Sequence, residues 1–257
     1  MTALLSAEWT KIRSVRSTVW CLSLTVALSV GLGYLFGRNF RTGFAELPPE
    51  QRDRFDPLFA SFYSLTVGQL ALVVLAVLVV TGEHSTGTIR VSLAAVPRRG
   101  RFYAAKVLTG ALLAGAVAVV TVLATFAAAQ AGLGPHGTSL GAAGVPVAVA
   151  GACLYLTLIY LFATGLAALA RSAIPALGVL LPLLFLGSQG LGNVPRVKTV
   201  AQYLPDQAGM VIMHIVGPAD DPRFARPYGP WTGVGIMALW TAAALLAGYV
   251  AVRRRDV

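Results

Sequence analysis

Ser188 lies in Gly187-Ser-Gln-Gly190, a small-residue turn that could expose a hydroxyl nucleophile. Such a serine needs a base within hydrogen-bond reach. His84, His136 and His214 all fall at the ends of apolar runs or between them, so none sits in another run to serve it. Proton relays and metal-dependent intramembrane hydrolysis need ionisable or ligating groups inside the apolar segments. Every Asp, Glu, Lys, Arg and His lies at a segment end or in a connection, and no metal site is expected. Cys21 and Cys153 make no disulfide framework and read as small apolar packing residues. No G-x-x-x-x-G-K-[ST] phosphate loop occurs, so ATP-driven work would need nucleotide bound by another polypeptide. Catalysis by this chain is therefore not expected.

The elements that hold these residues are unusual in composition. Hydrophobic residues make up 56% of the 257, and charged residues 12%. Soluble domains carry roughly 25% charged residues. So little charge cannot cover a water-exposed surface, which excludes a soluble enzyme, a disordered chain and a nucleic-acid-binding domain. Long uncharged windows instead point to an all-α integral membrane protein. A helix crosses the hydrocarbon core with ~20 apolar residues. The windows predict six spans at about 18–37, 60–81, 104–130, 145–170, 173–191 and 231–252. The turn-rich stretch from Gly132 to Gly141 separates the third from the fourth. The first span lacks a small-residue cleavage site and is expected to be retained. Residues 1–257 read as a single transmembrane domain without internal repeats.

Six spans place both termini on one side. That side carries 12 of the 20 basic residues but only Glu8, Glu83 and Asp256 among the acids. The positive-inside rule then predicts cytoplasmic termini in a multi-pass cell-membrane protein. The polar groups within spans are neutral, with Thr66, Gln69, Ser188 and Gln189 the best candidates for a neutral translocation path. The alternative for them is interhelical hydrogen bonding. Ser29, Gly33 and Gly37 recur every fourth residue, a spacing that allows close helix contact. Pro175 and Pro182 are expected to kink the fifth span.

Three connecting segments carry more pattern. Leu5, Trp9, Ile12 and Val15 form an apolar stripe on a short N-terminal helix that also holds Lys11 and Arg13, as expected of a helix lying along the interface. After span two, Glu83 to Lys106 predicts a short helix with Ile89, Leu93 and Val96 on one face, stopped by Pro97. Between spans five and six, 193–229 predicts a folded outer helical cap. Its two apolar faces are Val197, Val200, Ala201 and Leu204, then Ala208, Val211, Ile212 and Ile215.

The combination of Glu8-Trp9-Thr-Lys-Ile-Arg13, Glu-x-x-x-Gly-Thr-x-Arg beginning at Glu83, and Pro97 followed nine residues later by Lys106 resembles permease subunits of ATP-binding cassette type-2 exporters. The match is closest to actinobacterial-style members with Ser-Thr-Gly-Thr-Ile-Arg and Ala-Val-Pro-Arg-Arg. The resemblance implies a cytoplasmic coupling helix that docks on a separate ATPase, with Glu83, Thr86, Gly87, Thr88, Ile89, Arg90 and Leu93 at or near the contact and Trp9, Lys11 and Arg13 on the interfacial helix. It implies that ATP and Mg are bound by the partner ATPase, with no cofactor in this chain. It also implies pairing with a second permease copy, identical or related, with spans one, two and five lining the path between them. The cargo would be a hydrophobic or amphipathic compound such as a drug, peptide or lipid. The bilayer is the remaining partner, and nucleic acid is not expected. A stand-alone secondary transporter or channel, or a non-transporting anchor or sensor, is the alternative.

Overall fold

Inside a bilayer each backbone polar group must be paired within its own segment or in a closed barrel, and apolar runs of this length satisfy that as helices. The computed structural model describes residues 2–89, 92, 96, 98–188, 190–217 and 221–254, which hold helices and no strand among the described residues. In chain order the α-helices are α1 (Thr2–Ser14), α2 (Arg16–Gly43), α3 (Pro49–Asp53), α4 (Pro57–Phe62), α5 (Leu65–Ser85), α6 (Arg99–Leu133), α7 (Val145–Ala170), α8 (Ala173–Ser188), α9 (Lys198–Ala201), α10 (Pro205–Met210) and α11 (Pro230–Arg254).

Among the described residues, five helical segments are long and apolar enough to cross a membrane: Arg16–Glu46, Pro57–Ser85, Arg99–His136, Val145–Ala170 and Pro230–Arg254. The sixth apolar helix, α8, has only 16 residues and ends short of the expected 191. At 1.5 Å per residue it is ~24 Å long, below the ~30 Å hydrocarbon core. By contrast α2 and α6 run beyond their expected windows, because polar residues at span ends can continue a helix outside the apolar core.

α5 sits centrally, with Leu65, Leu72, Val73, Leu75, Ala76 and Val77 fully buried. It packs against α2, α7 and α8, while α6 lies against α2 and α7, and α11 against α7. Several of these contacts are close enough to need glycine. A Cβ at Gly37 of α2 would lie 2.4 Å from the Ala129 carbonyl oxygen of α6, and one at Gly165 of α7 would lie 2.4 Å from the Ala244 carbonyl carbon of α11.

Two short segments divide their residues between interior and exterior. On α1, Glu8 and Ile12 are buried, four apart, whereas Trp9, and Val15 just beyond the helix, are exposed, on the flank that an interfacial helix turns to lipid. The inward face is thus set by a charge as well as by apolar spacing. In the segment between α8 and α11, the first expected apolar face is divided: Ala201 is buried and Leu204 half-buried, while Val197 and Val200 are exposed. The second stretch does fold inward: all of α10 is buried, followed by Ile212, Met213 and Ile215.

Candidate functional site

Residues from the three motifs of the resemblance meet at one end of the bundle. There the α1 helix, the end of α5 and the first turns of α6 meet in a closed ring of four charges. The Lys11 ammonium donates to Glu8 Oε1 and to Glu83 Oε1, both at 2.8 Å. The Lys106 ammonium donates to Glu8 Oε2 at 2.8 Å and lies 3.0 Å from Glu83 Oε1. Lys11 also donates to Ser92 Oγ at 3.2 Å, which ties in the segment after α5. Both ammonium groups stand 5.4 Å from the centroid of the Phe102 ring. Glu8, Glu83 and Lys106 are buried, and Lys11 is partly exposed.

Such a ring forms because two acids and two bases cancel one another out of water. Removing a single member would leave an unpaired buried charge, a loss of roughly 3–5 kcal/mol. Burial alone would raise the Glu8 pKa, but Lys106 and Lys11 more than reverse this and hold it below the ordinary carboxylate value. Burial would likewise lower the Lys11 pKa, and the bonds to Glu8 and Glu83 instead raise it.

Beyond Glu83 the chain turns outward. Ser85, Thr86, Gly87 and Thr88 are exposed, and Gly87 has φ +71°, the left-handed region that favours glycine. The Thr86 amide donates to the Gly82 carbonyl at 3.1 Å, and the Thr86 and Thr88 hydroxyls pair at 2.9 Å. Ile89 then turns back and is only 4% exposed. Of the expected coupling-contact residues, Glu83 and Ile89 are buried within the chain, and Thr86, Gly87 and Thr88 are exposed together with Ser85. Arg90 and Leu93 lie outside the described residues. On α1, Trp9 and Arg13 are exposed, while Lys11 belongs to the ring.

The neighbouring helix ends are tied by arginines. Arg171, with φ 59°, donates to the Ala251 carbonyl at 3.1 Å, and Arg99 donates to the Val252 carbonyl at 3.3 Å. These carbonyls lie in the last turn of α11, where basic groups are favoured. Arg98, Arg99, Arg101 and Arg253 line a concavity of about 570 Å³ beside them.

The candidate path residues sit in the packed interior. Gln69 accepts from the Tyr155 hydroxyl at 2.6 Å and donates to the Thr66 carbonyl at 3.1 Å, and Thr66 donates to the Tyr63 carbonyl at 2.7 Å. In this conformation Gln69 bonds both between helices and within its own, and Thr66 bonds locally. The Ser188 side chain and Gln189 lie outside the described residues.

Three functional candidates escaped the sequence reading. Glu8 and Lys106 stood only as marks of resemblance. The missed signal was that Glu8 and Glu83 are almost the sole acids on a strongly basic side, and buried acids there need basic partners. Asp206, at the start of the second helix of the outer cap, is fully buried, with Oδ2 accepting from Gln207 Nε2 at 3.0 Å. Burial pushes its pKa up to about 6, against the opposing bonds from Gln207.

No curated protein matches the chain. A family model described as ABC-2 family transporter protein matches residues 4–187, from the first turn of α1 to the end of α8. That stretch holds the whole charge ring, the exposed turn after Glu83 and all but one of the long apolar helices, and by it the chain belongs to the ABC-2 transporter family as a multi-pass membrane permease subunit.

Proposed function

We propose that this permease subunit serves an ATP-driven exporter of hydrophobic or amphipathic compounds, docking a separate cassette ATPase through the exposed turn Ser85–Thr88. The observation that carries the reading is the meeting of Glu8, Lys11, Glu83 and Lys106, drawn from the three motifs of the resemblance, at one end of the bundle, with the exposed turn Ser85–Thr88 beside them. ATP and Mg would be held by the ATPase. A second permease copy would complete the path.

The reading includes six crossings with both termini in the cytoplasm. Supporting the sixth, short crossing are the neighbours of α8. Arg171, just before it, bonds α11 near its C-terminus, and Gly187, at its far end, lies against Asp206 of α10. A Cβ at Gly233, near the start of α11, would lie 2.2 Å from the Ala208 carbonyl oxygen of the same α10. α8 therefore bridges the same two levels as α11. The basic end, holding Arg98, Arg99, Arg171 and Arg253, is the cytoplasmic end under the positive-inside rule.

The test is affinity capture of the permease from native membranes, probed for a cassette ATPase. Capture of the ATPase by wild type, reduced by Thr86→Arg or Thr88→Arg at unchanged membrane levels, is the expected result. Undiminished capture by both variants would move the contact elsewhere, and no cassette ATPase in the wild-type capture would sink the reading.

A further inference from the structure

We infer that the Glu8–Lys11–Glu83–Lys106 ring is a clamp that makes α1, the end of α5 and the start of α6 one mechanical unit, so that movement at the ATPase-docked turn is delivered to the whole bundle. The inference rests on the exporter reading above and assigns the positioning residues for its coupling step.

The geometry supplies the linkage. α1 ends at Ser14 and α2 begins at Arg16, leaving Val15 alone between them in an extended conformation (φ −95°, ψ 121°). A displacement of α1 therefore reaches the start of α2 through one residue. Glu83 lies in the last turn of α5, two residues before the exposed turn. Lys106 lies two turns into α6. Each acid touches both lysines, so no one of the three helices can shift by more than a hydrogen-bond length without breaking a buried ion pair. Ser92 adds the segment after the turn. At the far end of the bundle, α2 and α6 meet at backbone distance at Gly37 and Gly132. A push received at the ring is thus carried by two helices that cannot separate at their other ends.

A purely supportive ion cluster would not need this arrangement. Lys11 is partly exposed, and surface lysines are ordinarily left in water. Here it reaches back to close the ring between α1, α5 and the segment holding Ser92. The ring also accounts for the spacing of the motifs: Glu8 and Lys11 are one turn apart on α1, and Lys106 follows Glu83 at the start of the next long helix.

Glu8→Gln/Lys11→Gln tests the clamp while leaving the Glu83–Lys106 pair balanced. Amide hydrogen exchange of the permease alone should rise at least tenfold across 2–14 and stay unchanged in α5 and α6. In the complex with its cassette ATPase, wild type should show an exchange change at 193–217 on trapping with ATP and vanadate. The double variant should bind the ATPase and hydrolyse ATP but lose that distant response. Reversing only α1, by Glu8→Lys/Lys11→Glu, should lose it as well, and adding Glu83→Lys/Lys106→Glu should restore it. Unchanged exchange in α1 of the first variant would overturn the clamp. Faster exchange with the distant response intact would overturn its coupling role, as would a wild-type complex with no distant response. Failure to isolate any ATPase complex would instead overturn the exporter reading, while the exchange result on the permease alone would still judge the clamp.

Discussion

Replacing Asp206 with asparagine should stabilise the protein near neutral pH. The carboxyl is fully buried between α10 and the end of α8, where a Cβ on Gly187 would lie 1.6 Å from Oδ2. Oδ2 accepts from Gln207, and Oδ1 has no hydrogen-bond partner among the described residues. Burial raises the pKa from 3.8 to about 6. One pKa unit corresponds to ~1.4 kcal/mol, so the ionised folded state carries a penalty of about 3 kcal/mol. The sign follows from the direction of the shift. The folded state holds the proton more tightly than the unfolded chain, so the site is free of penalty below pH ~4, loses stability as pH rises through about 6, and stays at full penalty above it. Asparagine is close in shape and neutral throughout. At pH 7.5 the variant should melt about 6–12 °C higher than wild type, taking ~2–4 °C per kcal/mol for a chain of this size. At pH 4 the two should coincide. Thermal unfolding followed by intrinsic fluorescence in lipid nanodiscs reads both. A lower melting temperature for Asp206→Asn at pH 7.5, or a difference independent of pH, would refute the reasoning.

Gly165→Leu should force α7 and α11 apart, lowering stability by about 1–3 kcal/mol in denaturant titrations, because overpacking against backbone cannot relax by rotamer change. Gly178→Leu, with nothing within 4 Å of its Cβ, should leave stability within about 0.5 kcal/mol. His214 and Asp56 pair at 2.8 Å, and this bond raises the His214 pKa. Its contribution is complete below pH ~6.5 and lost as pH rises through the raised value. The pair is partly exposed, so His214→Gln should remove less than about 1 kcal/mol at pH 6 and nothing at pH 9, as read from melting curves. Gly87→Ala has open space but a positive φ, so it should lose roughly 1 kcal/mol from backbone strain and slow exchange with any docked partner, measured by melting and capture.

The spans were legible because the bilayer enforces length and composition together. Their ends were less so, since nothing in the pattern of Arg16 or Arg99 distinguishes a helix that stops at the interface from one that continues into water. The charged contacts of α1 were not legible for a physical reason. An apolar stripe shows which flank of an interfacial helix can meet lipid, but the pairing of Glu8 with Lys106, 98 residues away, has no periodic signal. Asp206 was hidden by its position outside the apolar windows. A connecting segment that folds back onto the helix ends buries polar groups that hydropathy assigns to water. Gln69 was visible as a polar residue in a span, but its partner Tyr155 is 86 residues away, and that distance cannot be bridged by periodicity.

The small-residue stripe of α2 is already used inside the chain. Ser29, Gly33 and Gly37 are buried within the chain itself, against α5 and α6. At Gly68 of α5 a Cβ would lie 1.9 Å from Ser29 Oγ, and at Gly33 it would lie 3.0 Å from Thr125 of α6. The close approach that such spacing permits is therefore already used between helices of one subunit. The opposite side of α2 presents Val19, Trp20, Leu24, Leu28 and Leu35 outward. These residues are bulky, so another helix meeting them would sit at ordinary side-chain separation, ~8–10 Å between axes, instead of at backbone contact. An interface of that kind has no glycine notch to fix one register, and its helices can slide or part with modest loss. In a subunit whose interior is locked by glycine contacts at one end and by four charges at the other, the freedom to move is greatest across its outer apolar faces.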